Sequence, residues 1–407
     1  MLTVDEAQQV VLQSVSVLPA DPMPLVRALG CTLAELLVAG VPLPPFDNSA
    51  MDGYAVIADD TRGASPEKPR VLRVAEDVPA GTAPSRRVEP GAAARIMTGA
   101  PMPDGADAVV IVEDTRSRAR GEVEVLAAAN PGDNIRPAGE DVQRGQVALS
   151  PGQVLGPGEL ALAAALGRSA VTTVRRPRAA IVTTGSEIIE PGRDLPPGAI
   201  YNSNQVLLAA RLMTAGAEVA ECLHVADDET AVEDALRRCA AADIILTTGG
   251  VSVGEYDFVK NALERLGAIE FWRVRMKPGK PIAFGTVLGR PLFGLPGNPV
   301  SALVTFEVLV APALRRMSGR QSCLPPTLQA ALLADVPHKP GRREYRQAVT
   351  RLGEDGYSVE PSPKSGSAML TSTVGSNSLV VIPEESAGLR AGEKVTVIYP
   401  AYRDSHS

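Results

Sequence analysis

A glycine-rich loop at residues 247–257, TTGGVSVGEYD, is the first candidate for a binding site. It follows an apolar segment at 244–246 and precedes an apolar pattern with helical spacing. A strand, a glycine-rich turn and a helix commonly hold a phosphate against backbone N–H groups. The loop carries Glu255 and Asp257 but no lysine, so a phosphate bound there would need a bridging divalent cation. A solvated turn before an acid-stabilised helix explains the same residues, and both interpretations stay open.

Two further loops have the composition of an oxyanion site. Residues 277–281, KPGKP, place two ammonium groups around a Pro-Gly turn whose restricted backbone would fix their relative positions. Residues 295–301, LPGNPVS, form a rigid loop in which Asn298 could cap the next helix and Pro299 suits its first turn. A solvated basic turn and a purely structural helix start are the alternatives.

Several carboxylates beside glycines or polar turns are candidate ligands for Mg²⁺, which prefers oxygen ligands and shares its coordination with substrate phosphates. They are Asp52, Asp141, Glu187, Asp227, Asp228 and Asp257. For any single one, an ordinary turn carboxylate is the competing explanation. The sequence has no nucleophile elbow, HExxH or dinucleotide-binding GxGxxG motif, which argues against covalent acyl transfer, zinc hydrolysis and NAD chemistry.

From residue 178 the chain alternates strand-like and helical segments, with a helix predicted at 203–214 that begins at Ser203 as its N-cap. Such alternation predicts parallel strands with right-handed crossovers and ligands at their carboxyl ends. The polar segments of this region all fall at such ends, including the three loops above.

The remaining segments predict additional units. Residues 3–18 have the pattern of an amphipathic helix with a capping box between Thr3 and Glu6, and a second helix is expected at about 25–37. Short β-type runs between 70 and 126 predict an inserted β-rich domain, and those after residue 318 predict a small β-barrel or sandwich.

Composition narrows the class of protein. A chain of 407 residues is too long for one compact core. A net charge of −7 and only 3% aromatic residues argue against a nucleic-acid binder. The four cysteines form no CxxC pair, and no apolar run of 18 residues or signal peptide is present. We therefore expect reduced thiols and a cytoplasmic protein that does not contact a membrane.

Seven motifs together resemble the MoeA family of molybdopterin molybdenumtransferases, whose eukaryotic counterpart is the E domain of gephyrin. They run in the family's order and span most of the chain: FDNSAMDGYA at 46–55, RIMTGAPMPDGADAVV at 95–110, RPAGED at 136–141, TTGSEI at 183–188, TTGGVSVGEYD at 247–257, MKPGKP at 276–281 and LPGNPVSA at 295–302. The main departure is Ser186, where the family often has Asp.

The resemblance implies a multidomain α/β fold with four parts. These are a discontinuous, elongated helical and extended domain at 1–45 and 142–176, an inserted β-rich domain at 46–141, a three-layer α/β/α molybdopterin-binding domain at 177–320, and a C-terminal β-barrel at 321–407.

The activity that the resemblance implies is the last step of molybdenum cofactor synthesis, in which adenylylated molybdopterin and molybdate react, Mg²⁺ assists and AMP is released. It also implies a homodimer, with the molybdopterin adenylyltransferase as a possible binding partner. That adenylyltransferase shares the α/β domain and is itself an alternative identity, but its reaction needs neither the insert nor the C-terminal segment. A scaffold role, as in gephyrin, is a third hypothesis, which the absence of a long linker or fused second module disfavours.

The resemblance also assigns site residues. Those implicated in catalysis are Asp52, Thr98, Asp141, Glu187, Asp227 and Asp257, with Glu187 and Asp257 as Mg²⁺ ligands. Those implicated in substrate binding are Thr248, Gly249, Gly250, Ser252, Gly254, Lys277, Lys280, Pro296, Pro299 and Ser301. The first three catalytic residues come from the insert, which in the family faces the α/β domain of the other subunit. Arg342, Arg346 and Ser367 match the family only loosely and receive no role.

Overall fold

The computed structural model describes residues 1–118, 121–250, 258–364 and 366–399. The N-terminal segment contains α1 (Val4–Ser14), β1 (Ala20–Pro24), β2 (Thr32–Leu33) and β3 (Leu37–Val38). The predicted capping box is confirmed, because Thr3 Oγ1 accepts from the Glu6 N–H and the Glu6 carboxylate accepts from the Thr3 N–H. The buried face of α1 packs into the core of the α/β domain described below.

The helix predicted at 25–37 is wrong. Only a 3₁₀ turn, Leu25–Ala28, forms there, and Gly30 then adopts a φ of +74° that ends it. The next residues pair instead with a strand more than 130 positions later in the chain. That long-range pairing overrides the local helical pattern.

The insert is built on one six-stranded sheet. The insert as a whole contains eight strands among the described residues: β4 (Asn48–Ser49), β5 (Gly53–Val56), β6 (Arg70–Val78), β7 (Ala92–Ile96), β8 (Ala108–Ile111), β9 (Thr115–Arg118), β10 (Glu122–Val125) and β11 (Ile135–Arg136). The sheet order is β8-β5-β7-β6-β10-β9, and β4 pairs separately with β11. The predicted β-rich insert is therefore present.

The chain then returns to its first segment through β12 (Val147–Leu149), α2 (Pro157–Ala165) and β13 (Ala170–Val174). Strand β13 lies between β1 and β2, and β12 pairs with β3. The segments before and after the insert thus fold together around one small core.

The α/β domain follows. Its strands are β14 (Arg178–Thr184), β15 (Ile188–Ile189), β16 (Ile200–Tyr201), β17 (Glu218–Val225), β18 (Ile244–Thr248), β19 (Gly267–Arg273), β20 (Met276–Lys277), β21 (Pro281–Val287) and β22 (Arg290–Leu295). Its helices are α3 (Ser203–Thr214), α4 (Glu229–Arg238), α5 (Phe258–Leu266), α6 (Pro299–Thr305) and α7 (Ala311–Met317), the last two joined by a π-helical stretch, Phe306–Val310.

The main sheet has the order β17-β14-β18-β22-β21-β19. Its first four strands are parallel, as predicted, whereas β21 runs antiparallel to both of its neighbours, β22 and β19. Successive residues of β14 face opposite sides, so that Ile181 joins the core under α3, α6 and α7 while Val182 joins the core under α4 and α5. Helices on both faces make the predicted three-layer domain.

The C-terminal strands are β23 (Thr327–Leu332), β24 (Val336–Pro337), β25 (Arg343–Gly353), β26 (Gly356–Pro361), β27 (Ser378–Ile382), β28 (Gly388–Leu389) and β29 (Lys394–Ile398). Five of them close in the order β25-β26-β23-β29-β27 and back to β25, which confirms a small barrel. Strand β20 of the α/β domain pairs in parallel with β25 and so joins the two domains. No helix among the described residues is long and apolar enough to cross a membrane.

Candidate active site at the edge of the α/β sheet

The polar loops of the α/β domain meet at one edge of its sheet. In the parallel ladder, Thr248 at the end of β18 lies opposite Leu295 at the end of β22. Because β21 runs antiparallel to β22, its first residues lie at the same edge. The segments 185–187, 248–250, 277–281 and 295–301 therefore converge, as their positions in the sequence predicted.

A cavity of about 650 Å³ lies at this edge. Its wall includes six of the predicted site residues, namely Glu187, Thr248, Gly249, Gly250, Pro296 and Pro299. Gly249 has a φ of +96°, and a Cβ there would lie 2.5 Å from the Thr184 carbonyl oxygen. The chain can leave β18 in this direction only with glycine at 249, which keeps the cavity open beside the main chain.

Asn204 on α3 also belongs to this cavity, although the sequence analysis did not identify it. Its Nδ2 donates to Thr248 Oγ1 (2.9 Å) and to the Gly297 carbonyl oxygen (2.6 Å), so it ties two loops together. The N-cap of α3 is Asn202, not Ser203 as predicted. Both residue types cap well; here the Asn202 amide also donates to Thr183 Oγ1. Two asparagines at the start of a helix at the strand ends were the missed signal.

A second cavity, of about 330 Å³, adjoins the first and shares Pro281, Pro296 and Asn298 with it. Lys277, Lys280 and Ser301, three of the predicted substrate-binding residues, line it together. The C-terminal barrel contributes the rest of its wall. Arg342, Arg346 and Ser367, to which the sequence analysis gave no role, line the cavity together with Glu344 and Lys364. Five cationic side chains around one carboxylate give this cavity a net positive charge, against the net charge of −7 for the chain.

The turn between Lys277 and Lys280 depends on Gly279. Its φ is +105°, and a Cβ would lie 2.5 Å from the Thr305 Cγ2 on α6. The turn can therefore pack this closely against the helix only without a side chain. The predicted rigid Pro-Gly turn is present, and α6 is the element that supports it.

The barrel anchors both this turn and the neighbouring loop. Lys277 Nζ donates to Glu344 Oε2 (2.9 Å) and Arg346 Nη2 donates to Glu344 Oε1 (2.8 Å). Burial raises the pKa of Glu344, but hydrogen bonds from Arg346, His338 and Lys277 lower it more, so the pKa lies below that of an ordinary glutamate.

Asn298 occupies the N-cap position of α6 with Pro299 next, as predicted, but its side chain makes no cap hydrogen bond. The Asn298 amide instead donates to Ser367 Oγ on the barrel (3.1 Å). A partner from another domain has replaced the local one, and a pattern within the loop could not reveal it.

The predicted acids separate into groups. Glu187 lines the larger cavity with an exposed side chain. Asp227 lies beside that edge and accepts from the Ser186 N–H (3.2 Å). Asp228 caps α4 by accepting from the Ala231 N–H (2.9 Å), which is the ordinary turn explanation. Ser252, Gly254 and Asp257 lie outside the described residues.

The insert residues line neither cavity of their own chain. Asp52 Oδ1 accepts from the Thr98 N–H (2.7 Å) and from Thr98 Oγ1 (2.8 Å), and these hydrogen bonds lower the pKa of Asp52. Asp141 is exposed on the turn that closes the insert. The structure thus brings Asp52 and Thr98 together and leaves both facing solvent.

Within the described residues, no three His, Cys, Asp or Glu side chains are grouped to hold a metal ion. A site there would need oxygen ligands from outside this set, such as substrate phosphates.

Comparison with known proteins covers nearly the whole chain. Residues 2–167 match the MoeA N-terminal region (domain I and II), residues 180–316 match the "Probable molybdopterin binding domain" and residues 329–399 match the MoeA C-terminal region (domain IV). Molybdopterin molybdenumtransferase 2 of Mycobacterium tuberculosis is 42% identical over 98% of this chain and 99% of its own. The Haemophilus influenzae molybdopterin molybdenumtransferase is 36% identical over 98% of each.

A solved structure agrees. The Pyrococcus horikoshii molybdopterin biosynthesis moeA protein matches with a TM-score of 0.83 and 33% identity, over 98% of this chain and all of its own. Family models in the same order, relatives matched end to end and a shared fold all agree. The chain belongs to the MoeA family of molybdopterin molybdenumtransferases.

Proposed function

We propose that this protein transfers molybdenum from molybdate to adenylylated molybdopterin and releases AMP, as the last step of molybdenum cofactor biosynthesis. The observation that carries the proposal is the pair of adjoining cavities. One has Gly249, Gly250 and Gly297 in its wall, the other is strongly basic, and they share Pro281, Pro296 and Asn298. A reaction between a nucleotide and a compact oxyanion needs this arrangement of two pockets.

The larger cavity would take the pterin nucleotide. Its volume of about 650 Å³ is in the range of small-molecule sites. Gly249 and Gly250 let a phosphate approach the main chain closely because they have no side chains. Asn204 and Thr248 then fix the spacing between this loop and the loop at 296–299.

The basic cavity would take molybdate, a tetrahedral dianion. Lys277 and Lys280 would supply charge, Ser301 and Ser367 would supply hydroxyl groups, and Arg346 could donate two parallel hydrogen bonds. Catalysis would come from holding the two substrates in contact and from cations placed beside the charge that develops on the leaving phosphate. No protein nucleophile is required.

Glu187, which lines the larger cavity together with Gly249 and Gly250, would hold Mg²⁺ there. Asp257 is the second proposed ligand, and the nucleotide phosphates would supply further oxygens. When bound, Mg²⁺ would neutralise phosphate charge.

We also propose a homodimer in which Asp52, Thr98 and Asp141 reach the cavities of the partner subunit. The support is that Asp52 and Thr98 form an exposed, hydrogen-bonded carboxylate site that lines neither of the two cavities described above. Mixing Asp52→Asn and Lys280→Ala chains, at a molybdate concentration at which neither variant alone is active, would test this arrangement. Random pairing should restore about a quarter of wild-type activity, because half of the dimers gain one intact site of two. No restoration would contradict a site shared between chains.

The central assay follows AMP release from adenylylated molybdopterin with Mg²⁺, with or without molybdate. Sulfate, another tetrahedral dianion, serves as the control oxyanion. We expect release that requires molybdate. Equal release without it, or with sulfate, would contradict the proposed function.

A further inference from the structure

Glu344 is a buried carboxylate in the wall of the basic cavity, and three basic side chains converge on it. Lys277 Nζ and His338 Nδ1 both lie 2.9 Å from Oε2, and Arg346 Nη2 lies 2.8 Å from Oε1. The Glu344 side chain is only 4% exposed and that of His338 only 1%, whereas that of Lys277 is 44% exposed. The Glu344 carboxylate is thus buried within the wall, whereas the Lys277 side chain that it binds is accessible from the cavity.

The backbone dictates this convergence. In the parallel pairing of β20 with β25, Lys277 lies opposite Glu344. Arg346 is two residues further along β25, so it projects from the same face of the strand as Glu344. One ladder between two domains therefore places an acid between two cations. Without that acid, the two cations would repel each other in a partly dry site.

Both cations keep donors for a ligand. An ammonium has three N–H groups and a guanidinium has five, and Glu344 takes one from each. Arg346 Nε is buried and, within the described part of the chain, has no hydrogen-bond partner. Because a carboxylate only accepts, His338 must donate from Nδ1, and this buried imidazole, which does not line the cavity, holds Glu344 in place.

We propose that Glu344 is a positioning residue for the oxyanion: it aims Lys277 and Arg346 into the basic cavity and does not itself touch the substrate. The proposal rests on the proposed function, because the oxyanion is the molybdate of that reaction. It adds an acidic residue to a site otherwise built from cations and hydroxyl groups.

The test compares Glu344→Gln and Glu344→Asp with wild type. Glutamine replaces one carboxylate oxygen with an NH₂ group. In either orientation of the amide, this hydrogen-bond donor faces other donors, either Arg346 or the pair Lys277 and His338, so at least one hydrogen bond is lost. We expect the KM for molybdate to rise roughly 10-fold or more, with the KM for the nucleotide unchanged. Aspartate keeps both oxygens on a shorter side chain and should recover part of the loss.

Glu384→Gln is the matched control, since Glu384 pairs with Arg275 Nη1 (3.1 Å) outside both cavities. It removes the same charge from an ion pair that also joins the barrel to the α/β domain and should leave both KM values unchanged. Equal changes in Glu344→Gln and Glu384→Gln would overturn the proposal, as would a rise in both KM values.

The Glu344→Asp variant decides the matter if Glu344→Gln does not fold. A KM for molybdate above the wild-type value, with the nucleotide KM retained, supports positioning, and a wild-type KM for molybdate overturns it. Failure of the proposed function would look different, because wild type itself would then show no molybdate-dependent AMP release.

Discussion

Replacing Gly279 with alanine should disturb the oxyanion cavity through one identifiable contact. A φ of +105° disfavours any residue with a side chain, at a cost of about 1–3 kcal/mol. The new Cβ would also lie 2.5 Å from Thr305 Cγ2, which adds an overpacking cost of about 1–3 kcal/mol. Thr305 cannot easily turn away, because its single Oγ1–H is shared between the carbonyl oxygens of Ser301 and Ala302.

A second substitution separates the two costs. Thr305→Ser removes Cγ2 and retains Oγ1, so it relieves the collision and keeps the hydrogen bonds. Thr305→Ser alone should cost about 1 kcal/mol for one lost buried methyl group. In the double variant, we expect the damage to be about 1–3 kcal/mol less than the sum of the single variants, because the two residues are in contact.

The assay measures thermal unfolding and the KM for molybdate for four proteins: wild type, Gly279→Ala, Thr305→Ser and the double variant. Gly279→Ala should lower Tm and raise the KM for molybdate, since Lys277 and Lys280 flank the turn. Adding Thr305→Ser to Gly279→Ala should restore part of the lost Tm and part of the lost affinity for molybdate. Strict additivity of the two substitutions would refute the reasoning, as would a Gly279→Ala protein with wild-type Tm and KM.

Three further predictions concern the same edge of the sheet. Gly249→Ala should weaken nucleotide binding more than molybdate binding in calorimetry, because its Cβ would lie 2.5 Å from a main-chain oxygen of the larger cavity; the reverse order would contradict the assignment of the cavities. Asn204→Ala removes two loop-bridging hydrogen bonds and should raise the nucleotide KM roughly 5- to 100-fold, whereas an unchanged value would show that the loops hold their spacing unaided. Because the folded-state pKa of Glu344 is below its unfolded value, its contribution to stability is present above the unfolded pKa and is lost as the pH falls through the folded pKa. The difference in urea midpoint between wild type and Glu344→Gln should therefore be large near neutral pH and shrink below about pH 4, and a difference that grows on acidification would refute that sign.

Local patterns in the sequence predicted the elements that local chemistry controls. The capping box of α1 needs only Thr3 and Glu6, and α3 spans the predicted residues 203–214. The first residues of the glycine loop, 247–250, and the Pro-Gly turn were also located correctly, because polar segments at the ends of parallel strands share an edge.

Features that depend on distant pairing were not predictable in this way. The helix expected at 25–37 is replaced by a 3₁₀ turn and two short strands, because β2 pairs with β13 and β3 pairs with β12. Glu344 and Arg346 reach the basic cavity only because β25 pairs with β20, and the register between two domains has no signature in either segment. The Asn298 side chain likewise binds Ser367 of the barrel instead of capping its own helix.

The division of the site into a nucleotide cavity and an oxyanion cavity is tested most directly by one pair of binding measurements on Lys280→Ala. Lys280 is exposed and lines only the basic cavity of the two, so its truncation should leave the larger cavity intact. Calorimetry should show molybdate binding weakened by roughly 10- to 100-fold, the loss expected for one charged hydrogen bond, with binding of adenylylated molybdopterin unchanged. Equal weakening of both ligands would contradict two separate cavities.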